Sequence, residues 1–242
     1  MKTRFFLLCI VLLSLLTLNA FASVDVRSIF ITTNEGLANN SVRYLFQDSK
    51  GFVWMGTLDG LSRYDGHSFV TFRPGIGDEI SLADHHVKVI TEDRNGFLWI
   101  FTSPEIFSCY DLKRDCFVDY TGCGEYKQEY KRKLETSTGD IWLWHNEKNG
   151  CRKITYKDGH FSSVIFNRKN GKLFSDSVNY VHEDEQGSVW ICTQAGLVWV
   201  AGNQTQLFKK ELSFVAAVAY AKKNFFLASN GQIYEKTRGK GL

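Results

Sequence analysis

The sequence predicts an all-β protein built from about five copies of one four-stranded unit. Composition is the first observation, because 20 Gly and only 2 Pro accompany 14% aromatic residues in a chain of 242 residues. Such a composition is typical of many short strands joined by tight turns. The second observation is a Gly-x-x-Trp motif whose Trp residues stand at positions 54, 99, 142 and 190, which gives spacings of 45, 43 and 48. A motif that recurs at this period predicts a repeat architecture.

The N-terminal segment, residues 1–22, has the pattern of a secretory signal peptide. A basic start precedes the apolar run Phe5–Leu18, and small residues lead to a predicted cleavage between Ala22 and Ser23. Because this run is shorter than the roughly 20 residues of a membrane span, we favour a cleaved signal over an uncleaved anchor. Removal of the segment leaves 27 basic and 26 acidic residues. A near-neutral body gives no support to nucleic-acid binding.

In each repeat, the turn before the Trp contains Gly, and in three of the four it also begins with Asp. The signature residues are Asp48, Gly51, Trp54 and Gly56 in the first copy, Asp93, Gly96 and Trp99 in the second, Gly139 and Trp142 in the third, and Asp184, Gly187 and Trp190 in the fourth. We expect the Asp carboxylate to accept backbone N–H groups of its turn, and the Gly to adopt a left-handed conformation. The Trp would fill the wedge between adjacent units, and Gly56 would allow close backbone approach. These residues are therefore interpreted as structural.

Four short strands fit into each repeat. In the first copy we predict Val42–Phe46, Phe52–Gly56, Leu61–Tyr64 and Phe69–Arg73. This strand count and period are those of a β-propeller blade, whereas leucine-rich and helical repeats lack support in the pattern. Within residues 23–242 the predicted blades lie near 40–73, 85–120, 131–166, 177–210 and 213–235. In the degenerate fifth copy, Phe226 is expected to take the place of the Trp.

The two ends of the repeat region leave the closure of the ring open. We expect Ile29–Thr32 to form an orphan outer strand, and the fifth copy runs only through its third strand. One alternative is a five-bladed ring that this strand closes. We favour the other, an incomplete part of a seven-bladed ring, because rings need closing blades to cover their edges.

The first repeat, Asn40–Asp65, resembles the two-component regulator propeller repeat. That resemblance implies the N-terminal periplasmic sensor region of a Bacteroides-type hybrid sensor histidine kinase. By the same resemblance, the chain takes part in signal transduction through a phosphorelay and responds to carbohydrate. Its partners would be a small-molecule or oligosaccharide ligand and the remaining propeller and signalling domains of a longer receptor. Contact with the membrane would come only through those downstream segments.

Candidate ligand contacts lie in an irregular loop after Trp142. Trp144, His145 and Glu147 combine an aromatic face with polar groups, as sugar-binding surfaces do, although a solvated loop with a packed Trp also fits. We find no catalytic motif, no metal site and no cofactor site, and expect no enzymatic activity from this chain. The alternative is a secreted propeller lyase or glycan hydrolase of the streptogramin-lyase or Asp-box type.

Five Cys remain after the predicted cleavage, so at least one is unpaired in a monomer. Cys109 and Cys116 flank a hairpin turn. A cross-strand disulfide between them and free thiols both remain open.

Overall fold

The structure is a computed structural model that describes residues 28–75, 80–102, 106–120, 130–208 and 211–237. The chain divides into two compact units, residues 1–31 and 32–242, and every described strand belongs to the second. The predicted signal peptide and the cleavage pair Ala22 and Ser23 lie outside the described residues. Within the described ranges, no helix is long and apolar enough to cross a membrane.

In the described ranges, 19 strands form five antiparallel sheets, each made of strands that follow one another in the chain. Blade 1 contains β1 (Val42–Gln47), β2 (Val53–Thr57), β3 (Gly60–Tyr64) and β4 (Phe69–Phe72); blade 2 contains β5 (Val87–Glu92), β6 (Phe97–Thr102), β7 (Phe107–Asp111) and β8 (Cys116–Val118); blade 3 contains β9 (Arg132–Glu135), β10 (Ile141–Trp144), β11 (Cys151–Lys157) and β12 (His160–Phe166); blade 4 contains β13 (Val178–Glu183), β14 (Val189–Thr193), β15 (Gly196–Ala201) and β16 (Gln204–Phe208); and blade 5 contains β17 (Phe214–Tyr220), β18 (Lys223–Ala228) and β19 (Ile233–Thr237). In blade 1, each strand end lies within one residue of its predicted position.

Successive blades pack face to face, as expected for a β-propeller. The first strand of one blade contacts the first strand of the next, as β1 contacts β5 and β13 contacts β17. This arrangement places the first strands innermost. The hydrophobic core is divided into four clusters, each shared by two neighbouring blades. The all-β propeller fold predicted from the repeats is confirmed.

The predicted outer strand Ile29–Thr32 is wrong. None of these residues belongs to a strand, and the side chains of Ile29 and Phe30 are 81% and 90% exposed. Thr32 instead caps a short 3₁₀-helix, Thr33–Glu35, and the Glu35 carboxylate accepts the Thr32 backbone N–H at 2.7 Å. The reciprocal cap satisfies the backbone N–H and C=O groups of Thr32 locally, at the start of the 3₁₀-helix.

The fifth blade also differs from its prediction, because Phe226 does not occupy the Trp position. A bulge precedes Ala216 in β17 as it precedes Tyr180 in β13, and counting from these bulges aligns Phe225 with Trp190. Phe226 therefore points the other way, into the core that blade 5 shares with blade 4. A shift of one residue in register moves a side chain to the opposite face of the sheet.

The Cys109–Cys116 disulfide is not formed in the structure, and both residues are free thiols. Cys109 lies opposite Val118, and Cys116 lies opposite Asp111. The two cysteines are therefore diagonal neighbours, a placement in which the Cα atoms are about 7–8 Å apart, beyond the usual disulfide span. Burial raises the pKa of the Cys109 thiol well above its ordinary value.

Candidate functional site

The signature Asp residues hold both their turn and the Trp that follows. Asp48 Oδ1 accepts the backbone N–H groups of Lys50 and Phe52 at 2.9 and 3.0 Å. Its second oxygen, Oδ2, accepts the indole N–H of Trp54 at 2.7 Å. The same three bonds recur around Asp93 and Asp184. We expected the turn bonds, whereas the bond to the indole is an additional role of the same carboxylate.

The signature Trp and Gly residues have structural positions. Trp54, Trp99, Trp142 and Trp190 are each at most 3% exposed and lie in the core between their own blade and the next. Left-handed φ angles between 76° and 90° occur at Gly51, Gly96, Gly139 and Gly187. A Cβ atom placed on Gly56 would lie 2.6 Å from Cγ1 of Val87, so this Gly allows the close approach of blades 1 and 2.

A second set of carboxylates joins neighbouring blades, and sequence reasoning missed it. Glu183 in blade 4 accepts the backbone N–H and the hydroxyl of Ser137 in blade 3, at 2.7 and 2.6 Å. Glu92 receives the same pair of bonds from Ser49, and Glu135 accepts Nε of Arg94 at 2.8 Å. These Glu residues end the first strand of their blades. The recurring Glu just before the signature position is the sequence signal that could have revealed the link.

The predicted ligand residues Trp144, His145 and Glu147 do not converge on one surface. Trp144 is 4% exposed and belongs to the core between blades 3 and 4. His145 is also buried, and its Nδ1 accepts the backbone N–H of Glu147 at 3.0 Å. Glu147 itself is exposed. The loop is thus held by its own hydrogen bonds rather than arranged around a common ligand position.

Trp144 does line a cavity of about 540 Å³ beside the first strands of blades 2, 3 and 4. Its indole N–H is buried and has no hydrogen-bond partner among the described residues. Lys131 and Arg132 contribute positive charge to the same cavity. The residues at the bulges of β1 and β5, Arg43 and Lys88, are also cationic and exposed. Hydrogen-bond donors and cationic side chains from blades 1, 2 and 3 therefore lie near the ends of the innermost strands.

A larger cavity, of about 640 Å³, opens between blades 4 and 5. We call it the 4–5 cleft. Its lining residues are Asp184, Gln186, Ser188, Trp190, Trp199, Gln206, Phe208, Lys222, Asn224 and Lys236. Three aromatic rings, two primary amides of glutamine and two ammonium groups thus surround one buried asparagine.

The equivalent space between blades 1 and 2 contains an arginine. Arg63 pairs with Trp54 across the strands as Trp199 pairs with Trp190. Its guanidinium lies over the Phe52 ring, 4.9 Å from the centroid, and donates to Asp115 of blade 2. In blade 4, which forms one side of the 4–5 cleft, Trp199 stands at the position of this arginine.

The part of the chain that the structure describes contains no cluster of side chains that could bind a metal ion. There, no three His, Cys, Asp or Glu side chains lie close enough together to hold an ion. Burial raises the pKa of the Cys192 thiol to about 12, so this side chain stays protonated at neutral pH.

Part of the first blade matches a known family model. Residues 36–59 match the family model described as two component regulator propeller. Histidine kinase P4 of Formosa agariphila is 40% identical over 52 residues, which are 22% of this chain and 4% of the kinase. This chain therefore spans a small fraction of the length of that curated relative.

Two solved structures align with most of this chain at low sequence identity. The extracellular domain assigned to a hybrid two-component system of B. thetaiotaomicron aligns with a TM-score of 0.47 and 18% identity, over 87% of this chain and 35% of that one. PorZ, a surface component of the type-IX secretion system of Porphyromonas gingivalis, aligns with a TM-score of 0.46 and 14% identity, over 80% of this chain and 32% of that one. The chain spans about a third of each structure. On the match at its first blade, this β-propeller carries the two-component regulator propeller repeat.

Proposed function

We propose that the chain is the ligand-sensing propeller portion of a periplasmic two-component receptor and that its ligand is a carbohydrate. The observation that carries the proposal is the match of residues 36–59 to the two-component regulator propeller. The match coincides with the turn in which Asp48 holds Trp54, the feature that repeats in blades 2 and 4. The propeller would supply a rigid scaffold whose clefts between blades receive the ligand.

In this proposal the chain does not turn over its ligand. The catalytic residues expected for a lyase or hydrolase are a base and a metal or acid placed in one cavity. In the 4–5 cleft, the described acidic residue is Asp184, whose two oxygens already accept hydrogen bonds from its turn and from Trp190. A carboxylate committed in this way supports a structural role.

The proposal also includes contact with further receptor domains. The face of blade 5 that points away from blade 4 exposes apolar side chains, among them Val218, Leu227 and Ile233, which are 57%, 39% and 70% exposed. Exposed apolar surface of this kind is typical of a docking face. Ligand binding would act by shifting how this propeller packs against its neighbours.

The test is to titrate the purified chain with a panel of oligosaccharides and to analyse each sugar afterwards. A sensor predicts saturable binding of at least one sugar that is recovered unchanged. Release of a shortened or unsaturated product would instead support a lyase or hydrolase. Absence of binding to every sugar would contradict carbohydrate sensing.

A further inference from the structure

The 4–5 cleft exists because blade 5 departs from the apolar pattern of the other blades. The position that Asn224 occupies in β18 is filled by an apolar residue in every other blade: Val53, Leu98, Ile141 and Val189. In blades 2 to 4 these side chains point towards the preceding blade. In blade 5 the apolar contact with blade 4 is therefore interrupted by a primary amide.

The cross-strand neighbour of Asn224 changes in the same way. Lys236 lies opposite Asn224, whereas the corresponding partners in blades 1 to 4 are Tyr64, Tyr110, Ile154 and Val200. Two adjoining positions that pack apolar side chains elsewhere are thus polar here. The ammonium of Lys236 lies over the Phe208 ring, 5.5 Å from its centroid, at the side of the cleft.

The amide of Asn224 is only half satisfied. Its Nδ2 donates to Oδ2 of Asp184 at 3.3 Å, but its Oδ1 is buried and has no hydrogen-bond partner among the described residues. The residue is 6% exposed. A buried acceptor without a donor is destabilising, and because Asn224 lines the cleft, a ligand that supplies a donor group would satisfy this oxygen.

Aromatic faces stand beside this acceptor. Trp190 is buried, whereas Trp199 and Phe208 are half-buried, so part of each of the latter two rings faces the cleft. Gln206 pairs with Trp199 across the strands and adds an exposed amide. An aromatic face next to amide groups and an unpaired acceptor suits a ring that is apolar on its face and carries hydroxyl groups on its edge.

We propose that the 4–5 cleft binds a sugar ring, which lies against Trp199 and Phe208 and donates a hydroxyl hydrogen bond to Oδ1 of Asn224. The volume of about 640 Å³ falls within the range of small-molecule sites and suits one or two rings, either a small sugar or the end of an oligosaccharide. This inference rests on the proposed function and adds the site at which the carbohydrate binds.

The test compares sugar binding by the wild-type chain and by Asn224→Val, which restores the apolar residue of the other blades. The probes are glucose, galactose, mannose, xylose, maltose and cellobiose, and tetrahydropyran-2-methanol serves as a ring with one hydroxyl. We expect at least one sugar to bind and the one-hydroxyl ring to bind more weakly. Asn224→Val should weaken sugar binding by roughly tenfold or more, the loss expected when a polar site can no longer pair with its ligand.

The melting temperature distinguishes a variant that has lost only the binding site from one whose fold is damaged. Asn224→Val removes an unsatisfied oxygen, so we expect a Tm equal to or above that of the wild type. Lys236→Met provides a second variant in the cleft, with Lys157→Met, an exposed lysine of β11, as its matched control. Lys236→Met should weaken sugar binding, and Lys157→Met should leave it unchanged.

The outcomes distinguish the two proposals. If a sugar binds the wild type and Asn224→Val equally well, the cleft is not the site, although carbohydrate sensing stands. If no probe and no oligosaccharide binds, both proposals fail. If a structure determined with sugar holds only water beside Asn224, the cleft assignment is overturned as well.

Discussion

The indole Nε1 of Trp54 donates a hydrogen bond of 2.7 Å to Oδ2 of Asp48, and both residues are buried. One carboxylate thereby fixes a turn between two strands and the orientation of the largest side chain in the wedge between two blades. The spacing of six residues between Asp and Trp is the same in blades 1, 2 and 4. The motif therefore couples local turn geometry to packing between blades.

Replacement of Asp48 by Ala should lower the free energy of unfolding by about 2–4 kcal/mol, because a buried indole N–H and two turn N–H groups lose their acceptor. Urea unfolding followed by fluorescence measures the change. Glu147→Ala, in an exposed loop, is the control and should change stability by less than about 0.5 kcal/mol. Equal effects of the two substitutions would show that the Asp–Trp bond has no special importance.

Replacement of Gly56 by Ala should destabilise the protein by about 1–3 kcal/mol, since the new methyl group overlaps Val87 of the next blade. The double variant Gly56→Ala with Val87→Ala should show a positive coupling, because the smaller residue 87 removes the overlap. Thermal unfolding of the four proteins of this cycle gives the coupling energy. Strict additivity would contradict the close approach of the two blades.

Replacement of Glu183 by Ala should lower the free energy of unfolding by about 1 kcal/mol, because two hydrogen bonds between blades 3 and 4 are lost at a half-buried position. Gln47 occupies the same register position in blade 1, and its side chain donates within its own blade to the carbonyl oxygen of Gly51, so Gln47→Ala is the matched control. Chemical denaturation should rank Glu183→Ala as the less stable variant. The reverse order would argue against the Glu–Ser link.

Stability should fall as the pH drops from about 7.5 to 5.5, an interval that spans the ordinary pKa of histidine, about 6.5. Burial lowers the pKa of His182 in the folded protein, so the unfolded chain binds its proton at higher pH and unfolding becomes easier as the solution becomes acidic. His182→Phe, which introduces the residue of blade 1 at this register, should flatten this dependence.

The matched control for that experiment is His160→Phe, at an exposed position of β12. Its unfolding free energy should decline across the interval as steeply as that of the wild type. A His182→Phe variant that retains the full slope would assign the pH dependence to other groups.

The repeats in the sequence were sufficient to predict the propeller, the strands of blade 1 and the turn role of Asp48. Each of these follows from local rules: Gly at left-handed turns, a short polar side chain at the start of the turn, and a large aromatic residue on the next strand. A pattern that repeats with the same local chemistry needs no knowledge of distant contacts.

Features that depend on register could not be predicted in this way. The hairpin of blade 5 turns through Ala221 and Lys222, both with positive φ, instead of the Asp–Gly turn, and Phe225 rather than Phe226 then aligns with Trp190. The 4–5 cleft follows from that register, because Asn224 and Lys236 face blade 4 only with this alignment. Sequence alone could not assign these residues to a face.

The most direct measurement is calorimetric titration of the chain and of Asn224→Val with the neutral sugar panel, followed by recovery of each sugar. We predict saturable binding by the wild type, binding at least tenfold weaker by Asn224→Val, and sugars recovered unchanged; the factor of ten corresponds to about 1.4 kcal/mol. No binding to any sugar, or release of a cleaved product, would contradict the account of this chain as a carbohydrate-sensing propeller.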